Sequence, residues 1–467
     1  MIRIPIILTF LTAVSMQAQE IPVSVQFGEP DNGVYDEDLL PAEFHKDRRA
    51  TLRARLPGGG VAVVFSNPVR NRSNDIDYEY HQDPNFYYLS GHNEPNAMVF
   101  VFKEPRMING VQASELLVVQ PRDPTREVWN GLRTGKEGAL TTLGFEAAMT
   151  GEEFLDWEAD WSESDKIYVQ ATTENLTSNK HQKASLSELL DHFRTSTTKA
   201  TQANAVDLQD WMAQLREVKQ IEELAMMRKA IDITCLAQNE LMTKLRPEMT
   251  EYQTEAIVEY VFKSNGAEDE GFPSIQGSGP HSCVLHYLTN RRTLGHNDLL
   301  VSDIGAEYHG YTADVTRTLP ANGKFSPEQK IIYNLVYDAQ EAGIAEVRKG
   351  NAFHAAHRAA TAVIVKGLIA NGLITDESEV RQYFMHGTSH YLGLDVHDAG
   401  TYGPLVPGNV ITVEPGIYIA ENSPCDPKWW NIGVRIEDDI LVTDGDPLNL
   451  SAGSPRKLED VEAAMAR

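Results

Sequence analysis

The chain has 467 residues, of which 42% are hydrophobic and 23% are charged, a composition typical of a globular protein with two or three domains. Its 67 Asp and Glu residues outnumber its 41 Lys and Arg residues, which gives a formal net charge of −26. Such a surface repels phosphate backbones and anionic lipids, which argues against nucleic acids and membrane surfaces as partners. The three cysteines are widely spaced without a CxxC pair, so neither a thiolate metal site nor a disulfide framework is indicated.

The first twenty residues, MIRIPIILTFLTAVSMQAQE, have the pattern of a secretory signal peptide. Arg3 precedes an apolar run over residues 4–14 that is too short to span a bilayer, and small and polar residues follow around Ala18. We therefore predict a signal peptide over residues 1–18 and a secreted or periplasmic protein, with an N-terminal strand as the alternative interpretation. Because no second long apolar run occurs, we expect no membrane span in the mature chain.

Three strand-like runs mark the first half of the chain: VAVVFS (61–66), AMVFVF (97–102) and LLVVQP (116–121). Polar, irregular connections separate them. These runs predict a smaller α/β N-terminal domain over residues 21–200, and the polar stretch 201–215 is predicted to be a linker.

Helical periodicity begins after this stretch. Apolar residues from Leu224 to Leu245 recur in steps of three and four, which predicts an amphipathic helix ended by Pro247. Capping boxes at Thr250 and Ser326 predict two more helices, the second ending near Gly350, and a fourth helix is predicted over residues 352–372.

Strand-like segments alternate with these helices at residues 299–319, 410–420 and 432–443. Helices combined with antiparallel strand pairs are typical of the α+β class. We therefore predict an α+β catalytic domain over residues 205–467.

Two aspartates lie in the first of these strand segments. A hairpin centred between Tyr308 and His309 would place Asp303 directly opposite Asp314, with Cβ atoms about 4.5–5.5 Å apart. Two carboxylates at that distance among apolar residues repel each other unless a proton or a cation lies between them. The pair therefore indicates a metal site.

Glu414 in TVEPG and Glu437 in VRIEDD each follow a β-branched stretch that should run into a core. Buried, unpaired carboxylates are too costly to keep ionised. Four converging acids would carry a charge of about −4, which two divalent cations neutralise, and a neutral imidazole suits a remaining coordination position.

The motifs DIGAEYHGYTADVTR, MHGTSHYLGLDVHD, VEPG and RIEDD occur in that order within about residues 215–450. This ordered set resembles the pita-bread metallopeptidase family, which includes methionine aminopeptidase, prolidase, aminopeptidase P and creatinase. The resemblance implies a pita-bread fold for the C-terminal domain. It also implies that two divalent metal ions are held by five residues: Asp303, Asp314, His390, Glu414 and Glu437.

Three histidines fall within fourteen residues, MHGTSHYLGLDVHD (385–398), and each could by itself be a metal ligand, a catalytic group or a core residue. The resemblance implies that His390 alone is a ligand. It implies catalytic roles for His386, His397 and, in the stretch VLHY, His286. Glu414 is our choice for the general base.

The N-terminal stretches RSNDIDYEYHQDPNFYYLSG (72–91), NEPNA (93–97) and EVWNGLRTG resemble the N-terminal domain of aminopeptidase P. Asp75 and Trp129 then match substrate-binding positions, and Trp129 would reach the site of a neighbouring subunit in a homo-oligomer, a dimer or tetramer. Arg435 is expected to pair with Asp75 or with the carbonyl side of the substrate.

The gap between His397 and Glu414 is short, which favours aminopeptidase P over prolidase. The segment AGTYGPLVPG (399–408) lacks an arginine that some bacterial aminopeptidases P have there, so recognition of the group beyond proline stays open.

The resemblance implies a dinuclear metal-dependent aminopeptidase that releases the N-terminal residue from peptides with proline in the second position. Carboxylates and imidazole suit Mn²⁺, with Zn²⁺, Co²⁺ and Fe²⁺ as alternatives. The alternative functions are an Xaa-Pro dipeptidase and a non-catalytic peptide-binding module. A creatinase-like hydrolase without metal is disfavoured because all five ligand residues are present.

Overall fold

The computed structural model describes residues 38–161, 164, 166–171, 183–197 and 205–466. The predicted signal peptide, residues 1–18, lies outside these described residues. Within them, no helix is both long and apolar enough to cross a membrane.

The N-terminal domain contains six described helices and seven described strands. They are α1 (Ala42–Arg55), β1 (Gly60–Phe65), β2 (Asn71–Ser73), β3 (Ile76–Asp77), α2 (Pro84–Ser90), β4 (Met98–Ile108), β5 (Val111–Val119), α3 (Pro124–Asn130), α4 (Gly135–Thr141), β6 (Ala148–Thr150), α5 (Gly151–Leu155), β7 (Lys166–Val169) and α6 (Leu186–Ser196).

A mixed five-stranded sheet with the order β6-β5-β4-β1-β7 forms the centre of this domain. Strand β1 is antiparallel to β4 and parallel to β7. Ala62 and Val64 pack into one hydrophobic cluster and Val61 and Val63 into another, so both faces of β1 are covered. This explains why the run VAVVF is continuously apolar. The predicted α/β character of this domain is confirmed.

A buried ion pair joins helix α1 to the sheet. The Arg49 guanidinium donates to both carboxylate oxygens of Glu115, at 2.9 and 3.0 Å, and to the Leu89 carbonyl at 2.8 Å. Both side chains of the pair are at most 1% exposed. Water therefore solvates neither charge, and each charge is stabilised by the other.

We expect Glu115→Ala to lower the free energy of unfolding by about 3–5 kcal/mol, because it leaves the Arg49 charge buried and unpaired. Urea unfolding followed by circular dichroism measures this. The matched control is Asp232→Ala, which removes a half-exposed partner of Arg228 and should change the same quantity by less than about 0.5 kcal/mol. Equal losses in the two variants would contradict the assigned role of the buried pair.

The second half of the chain contains six helices and eleven strands among the described residues, together with short 3₁₀ turns. They are α7 (Ala205–Arg216), α8 (Ile221–Lys244), α9 (Glu251–Ser264), β8 (Asp269–Glu270), β9 (Ile275–Ser278), β10 (Leu299–Ile304), β11 (Ala306–Tyr308), β12 (Tyr311–Thr312), β13 (Val315–Pro320), α10 (Pro327–Ala345), α11 (Ala355–Ala370), β14 (Val410–Val413), β15 (Gly416–Ile419), β16 (Ile432–Arg435), β17 (Asp438–Leu441), β18 (Leu448–Asn449) and α12 (Leu458–Ala464).

These strands form small antiparallel sheets with the orders β13-β10-β9, β12-β11-β8, β14-β17-β18 and β15-β16. Helices α8 to α11 begin where the periodicity and the capping boxes predict, although α10 already ends at Ala345. The predicted α+β class of the catalytic domain is confirmed.

The predicted linker over residues 201–215 is wrong for its second part, because Ala205–Arg216 is helix α7. Leu208, Met212 and Leu215 recur in steps of four and three and are buried. The polar residues between them hid this apolar face in the sequence.

The predicted register of the first hairpin is also wrong, by two residues. Asp303 pairs with Thr316, and the turn consists of His309 and Gly310, whose φ angles are +49° and +79°. Two consecutive positive φ angles are typical of the tight turns that join antiparallel strands. A shift of two residues keeps Asp314 on the same face, because side chains alternate with period two.

Candidate metal centre and active site

The strand-borne carboxylates all lie at or near interruptions of strands. Asp314 lies between β12 and β13, Glu414 between β14 and β15, and Glu437 between β16 and β17. Asp303 is the penultimate residue of β10. Such breaks bend the strands, so that carboxylates from four segments of the chain approach one point.

One ligand atom each from Asp314, His390 and Glu437 lies within 4.8 Å of the other two. The Nε2 atom of His390 is 3.4 Å from Oδ2 of Asp314 and 3.6 Å from Oε1 of Glu414. The Thr316 hydroxyl donates a hydrogen bond of 2.6 Å to Oε2 of Glu437 and so orients that carboxylate. The structure therefore brings together the residues that the sequence predicts as ligands.

The pKa values of these acids rise because the groups are buried beside one another. Burial raises the pKa of Asp314 well above its ordinary value, and the negative charge of Asp303 adds to the effect. Burial and Asp314 act in the same way on the pKa of Glu437. Burial also raises the pKa of Glu414 to about 7, against the attraction of His390.

Two features of the cluster suit divalent cations. One is the type of its donor atoms, and the other is the presence of buried carboxylate oxygens without a hydrogen-bond partner. The Oδ1 atoms of Asp303 and Asp314 are buried and have no hydrogen-bond partner among the described residues. Groups of this kind normally have a protein, water or ion partner. Four carboxylates and one imidazole are donors that hard divalent ions accept, and cations would remove the repulsion that raises the pKa values.

Arg435 does not pair with Asp75 within this chain. Its Nη2 atom donates to Oδ2 of Asp303 at 2.6 Å, and its Nη1 atom contacts the Tyr418 hydroxyl at 3.1 Å. The side chain is 5% exposed, because Arg435 ends strand β16 inside the core beside Thr316. The guanidinium therefore orients one acid of the cluster.

The imidazole of His386 lies at the edge of the cluster. Its Nε2 atom is 2.8 Å from the Tyr418 hydroxyl and its Nδ1 atom is 3.9 Å from Oε2 of Glu414. Burial, helped by the charge of Arg435, lowers the pKa of His386 to about 4. The ring is therefore neutral at neutral pH.

The ring of His397 lies edge-to-face against that of His390, with centroids 4.4 Å apart. Burial and the neighbouring His390 lower the pKa of His397. A positive charge on His286 would lower the pKa of both His386 and His397, which places His286 near them. His386 and His397 therefore lie beside the cluster, and His286 lies near enough to act on them electrostatically.

Asp75 and Trp129 are not brought to the cluster within this chain. Asp75 is exposed in the turn between β2 and β3, and Trp129 in helix α3 is 85% exposed. Neither residue has a hydrogen bond or ion pair to a cluster residue in the part of the chain that the structure describes.

Sequence reasoning missed Asp439, which is fully buried behind the cluster. Its Oδ2 atom accepts a hydrogen bond from the backbone N–H of Asp314 at 3.3 Å. Burial raises its pKa well above the ordinary value. The signal was present in the sequence, because Glu437 and Asp439 are two residues apart and share a face of the chain.

The sequence also contained no sign of a contact made by His357 in helix α11. Its Nδ1 atom is 2.8 Å from Oγ1 of Thr388, whose carbonyl accepts the backbone N–H of Glu414 at 2.9 Å. Helix α11 is thereby linked to the backbone of the cluster.

Comparisons with known proteins agree with this geometry. Residues 225–444 match metallopeptidase family M24, and residues 45–168 match the N-terminal domain of aminopeptidase P. The chain is 35% identical to the Xaa-Pro aminopeptidase of Escherichia coli (strain K12) over 440 residues, which covers 92% of this chain and 98% of that protein.

Solved structures give the same result. The aminopeptidase PepP of Pseudomonas aeruginosa superimposes with a TM-score of 0.82 at 33% identity, over 91% of this chain and 98% of that one. Zn-substituted E. coli aminopeptidase P in complex with product gives a TM-score of 0.80 at 33% identity, with the same coverage. The predicted pita-bread fold is thereby confirmed, and the chain is a metallopeptidase that belongs to family M24 and, within it, to the Xaa-Pro aminopeptidases.

Proposed function

We propose that the protein is a metal-dependent aminopeptidase that releases the N-terminal residue from peptides with proline in the second position. The observation that carries this proposal is the convergence of four carboxylates and His390 on one point. The E. coli relative supports the proposal: it is named Xaa-Pro aminopeptidase, and it is 35% identical to this chain over 98% of the E. coli protein's length. A dipeptidase is less well supported, because the curated relatives compared with this chain are named Xaa-Pro aminopeptidases.

We infer that two divalent cations bind at the cluster and that Mn²⁺ is the natural metal, because oxygen donors dominate the set. The proposed ligands are Asp303, Asp314, His390, Glu414 and Glu437. When bound, such ions activate a water molecule and polarise the scissile carbonyl.

Glu414 is the proposed general base. As a carboxylate inside the cluster, it would accept a proton from the attacking water and return it to the leaving nitrogen. The chain holds it in place, because its backbone N–H donates to the Thr388 carbonyl at 2.9 Å.

The three histidines are assigned as hydrogen-bond donors to the substrate. His397 would donate to the oxygen that becomes negative during attack, which is the type of stabilisation that contributes most to acyl transfer. His386, fixed by the Tyr418 hydroxyl, and His286 would orient the peptide.

Proline in the second position makes the scissile bond a tertiary amide without an N–H group, and its ring fixes φ. A site that does not need that donor can select such bonds. We propose that Asp75 and Trp129 bind substrate at the site of a neighbouring subunit in a homo-oligomer, since both are exposed in the single chain.

Hydrolysis of matched peptides tests the proposal. The protein, stripped with chelator and reloaded with Mn²⁺, should cleave the first bond of an Xaa-Pro-Xaa tripeptide faster than it cleaves the corresponding Xaa-Pro dipeptide. Reloading with Zn²⁺, Co²⁺ or Fe²⁺ at equal free concentration ranks the metals. A preference for the dipeptide would favour the alternative function, and no cleavage with any metal would favour a binding module.

We further propose that residues 1–18 direct export of the protein. Expression of the full chain in a bacterial host, followed by fractionation and N-terminal sequencing, should give a periplasmic product that begins after Ala18. An uncleaved cytoplasmic product would contradict export.

A further inference from the structure

A second cavity lies between the two domains, away from the metal centre. Its volume is about 410 Å³, which is within the range of small-molecule sites. Helix α1 and the segment around helix α2 line it from the N-terminal domain. The His309–Gly310 turn and the residues before strand β8 line it from the catalytic domain. None of the five proposed metal ligands lines this crevice.

Acidic side chains predominate in the crevice. Four acids line it: Glu79, Glu268, Asp269 and Glu307. No Lys or Arg is among its described lining residues, and its basic side chains are three imidazoles. The imidazole of His81 is 3.0 Å from Glu307, and that of His309 is 2.8 Å from Glu268. Lys263 contacts Asp269 at 3.9 Å, so an excess of negative charge remains.

Two largely buried polar side chains, Tyr87 and His45, line this crevice. The side chain of Tyr87 is 9% exposed, and its hydroxyl has no hydrogen-bond partner among the described residues. His45 is 2% exposed, and its Nδ1 atom is 3.0 Å from the Tyr88 carbonyl. Its Nε2 atom lies against Gly91, where a Cβ would be 2.7 Å away. The Tyr87 hydroxyl is therefore available to form a hydrogen bond with a ligand in the crevice.

The remaining lining of the crevice is apolar. Leu39, Leu40, Leu143 and Leu394 line it beside the ring of Tyr87. An aromatic face next to carboxylates attracts organic cations through its quadrupole and through charge. An apolar body could pack on the leucines while its charged end meets the acids.

We propose that this crevice is a second, non-catalytic binding site for an organic cation, namely a primary amine carried on an aromatic or alkyl body. Such a ligand would contact both domains and stabilise their contact. The proposal does not depend on the activity at the metal centre.

Binding of 2-phenylethylamine to the metal-loaded full chain tests this site by isothermal titration calorimetry. A ligand of this size should bind with a dissociation constant of about 1 mM. The charge-inverted 3-phenylpropionate and the neutral 2-phenylethanol should each bind at least about tenfold more weakly, since the acids select the cation.

Variants locate the site. The double variant Glu268→Gln with Asp269→Asn should weaken amine binding at least about tenfold. The matched control Glu377→Gln removes an exposed acid elsewhere and should leave it unchanged. Tyr87→Phe preserves the shape of the cavity and should weaken binding several-fold, so it replaces the double variant if that variant fails to fold.

Unchanged binding in both the double variant and Tyr87→Phe would overturn the proposal. So would equal affinity for 2-phenylethanol. Competition of the amine with a peptide substrate, together with loss of binding in Glu437→Gln, would place the amine at the metal centre instead and would equally overturn it.

Discussion

Replacement of Glu414 by Gln is expected to lower kcat for an Xaa-Pro-Xaa peptide by at least about 10³-fold. Gln keeps the shape of the side chain but cannot accept the proton, and general-base catalysis contributes about 10²–10⁴-fold by itself. Because Glu414 also faces His390 within the cluster, some loss of metal affinity adds to the effect. Steady-state kinetics at saturating Mn²⁺, with the metal content measured on the same sample, give both quantities.

The control for this variant is Glu421→Gln, which changes an exposed acid seven residues further along the chain. It should retain full activity. A Glu414→Gln protein that keeps its metal and turns over at the original rate would remove Glu414 from the role of base.

Removal of the metal is expected to destabilise the protein most at high pH. Glu414 has a folded-state pKa of about 7 against an ordinary value of 4.5, and the pKa values of Asp314 and Glu437 are raised further. Well below their ordinary pKa values of 3.8 for Asp314 and 4.5 for Glu414 and Glu437, these acids are protonated in both the folded and the unfolded chain and do not destabilise the fold. As the pH rises above these values, the unfolded chain releases their protons first, so the folded state loses stability through pH 7 and beyond.

The difference in Tm between metal-loaded and chelated protein should therefore grow from pH 5 to pH 8. At a metal concentration of about 1,000 times Kd, binding stabilises the protein by about 4 kcal/mol. For a domain of this size, that corresponds to a shift of about 10 °C. Differential scanning fluorimetry at five pH values measures the trend. A difference that shrinks as the pH rises would contradict the coupling of the acids to the metal.

The ligand cluster could be predicted from the sequence because its chemistry restricts residue types and its motifs have a fixed order. An ionised carboxylate at the end of a β-branched strand needs a counter-charge, and this argument applies to Glu414 and Glu437 without any structure. The choice of His390 among the three histidines came from the resemblance to the pita-bread metallopeptidases.

Other features could not be predicted from the sequence, because they depend on backbone geometry or on contacts between residues that are distant in the sequence. The hairpin register depends on a positive φ at His309, a non-glycine residue that seldom adopts it. The partner of Arg435 is Asp303, 132 residues earlier in the chain. Such a contact is decided by tertiary packing and not by local pattern.

Helix α7 illustrates a third limit. Its buried residues Leu208, Met212 and Leu215 are interspersed with Gln209, Asp210 and Gln214, so the polar character of the segment indicated a linker. The apolar face becomes clear only when the helical period is applied to the segment. Asp75 and Trp129 were selected by resemblance, and their exposure shows that one chain does not bring them to the cluster.

Anomalous scattering from crystals of the full chain grown with Mn²⁺ tests the central claim most directly. The account predicts two peaks about 3.5–4 Å apart among the carboxylates of Asp303, Asp314, Glu414 and Glu437, with Nε2 of His390 bound to one of them. Absence of any peak at this cluster, with Mn²⁺ bound elsewhere or not at all, would contradict it.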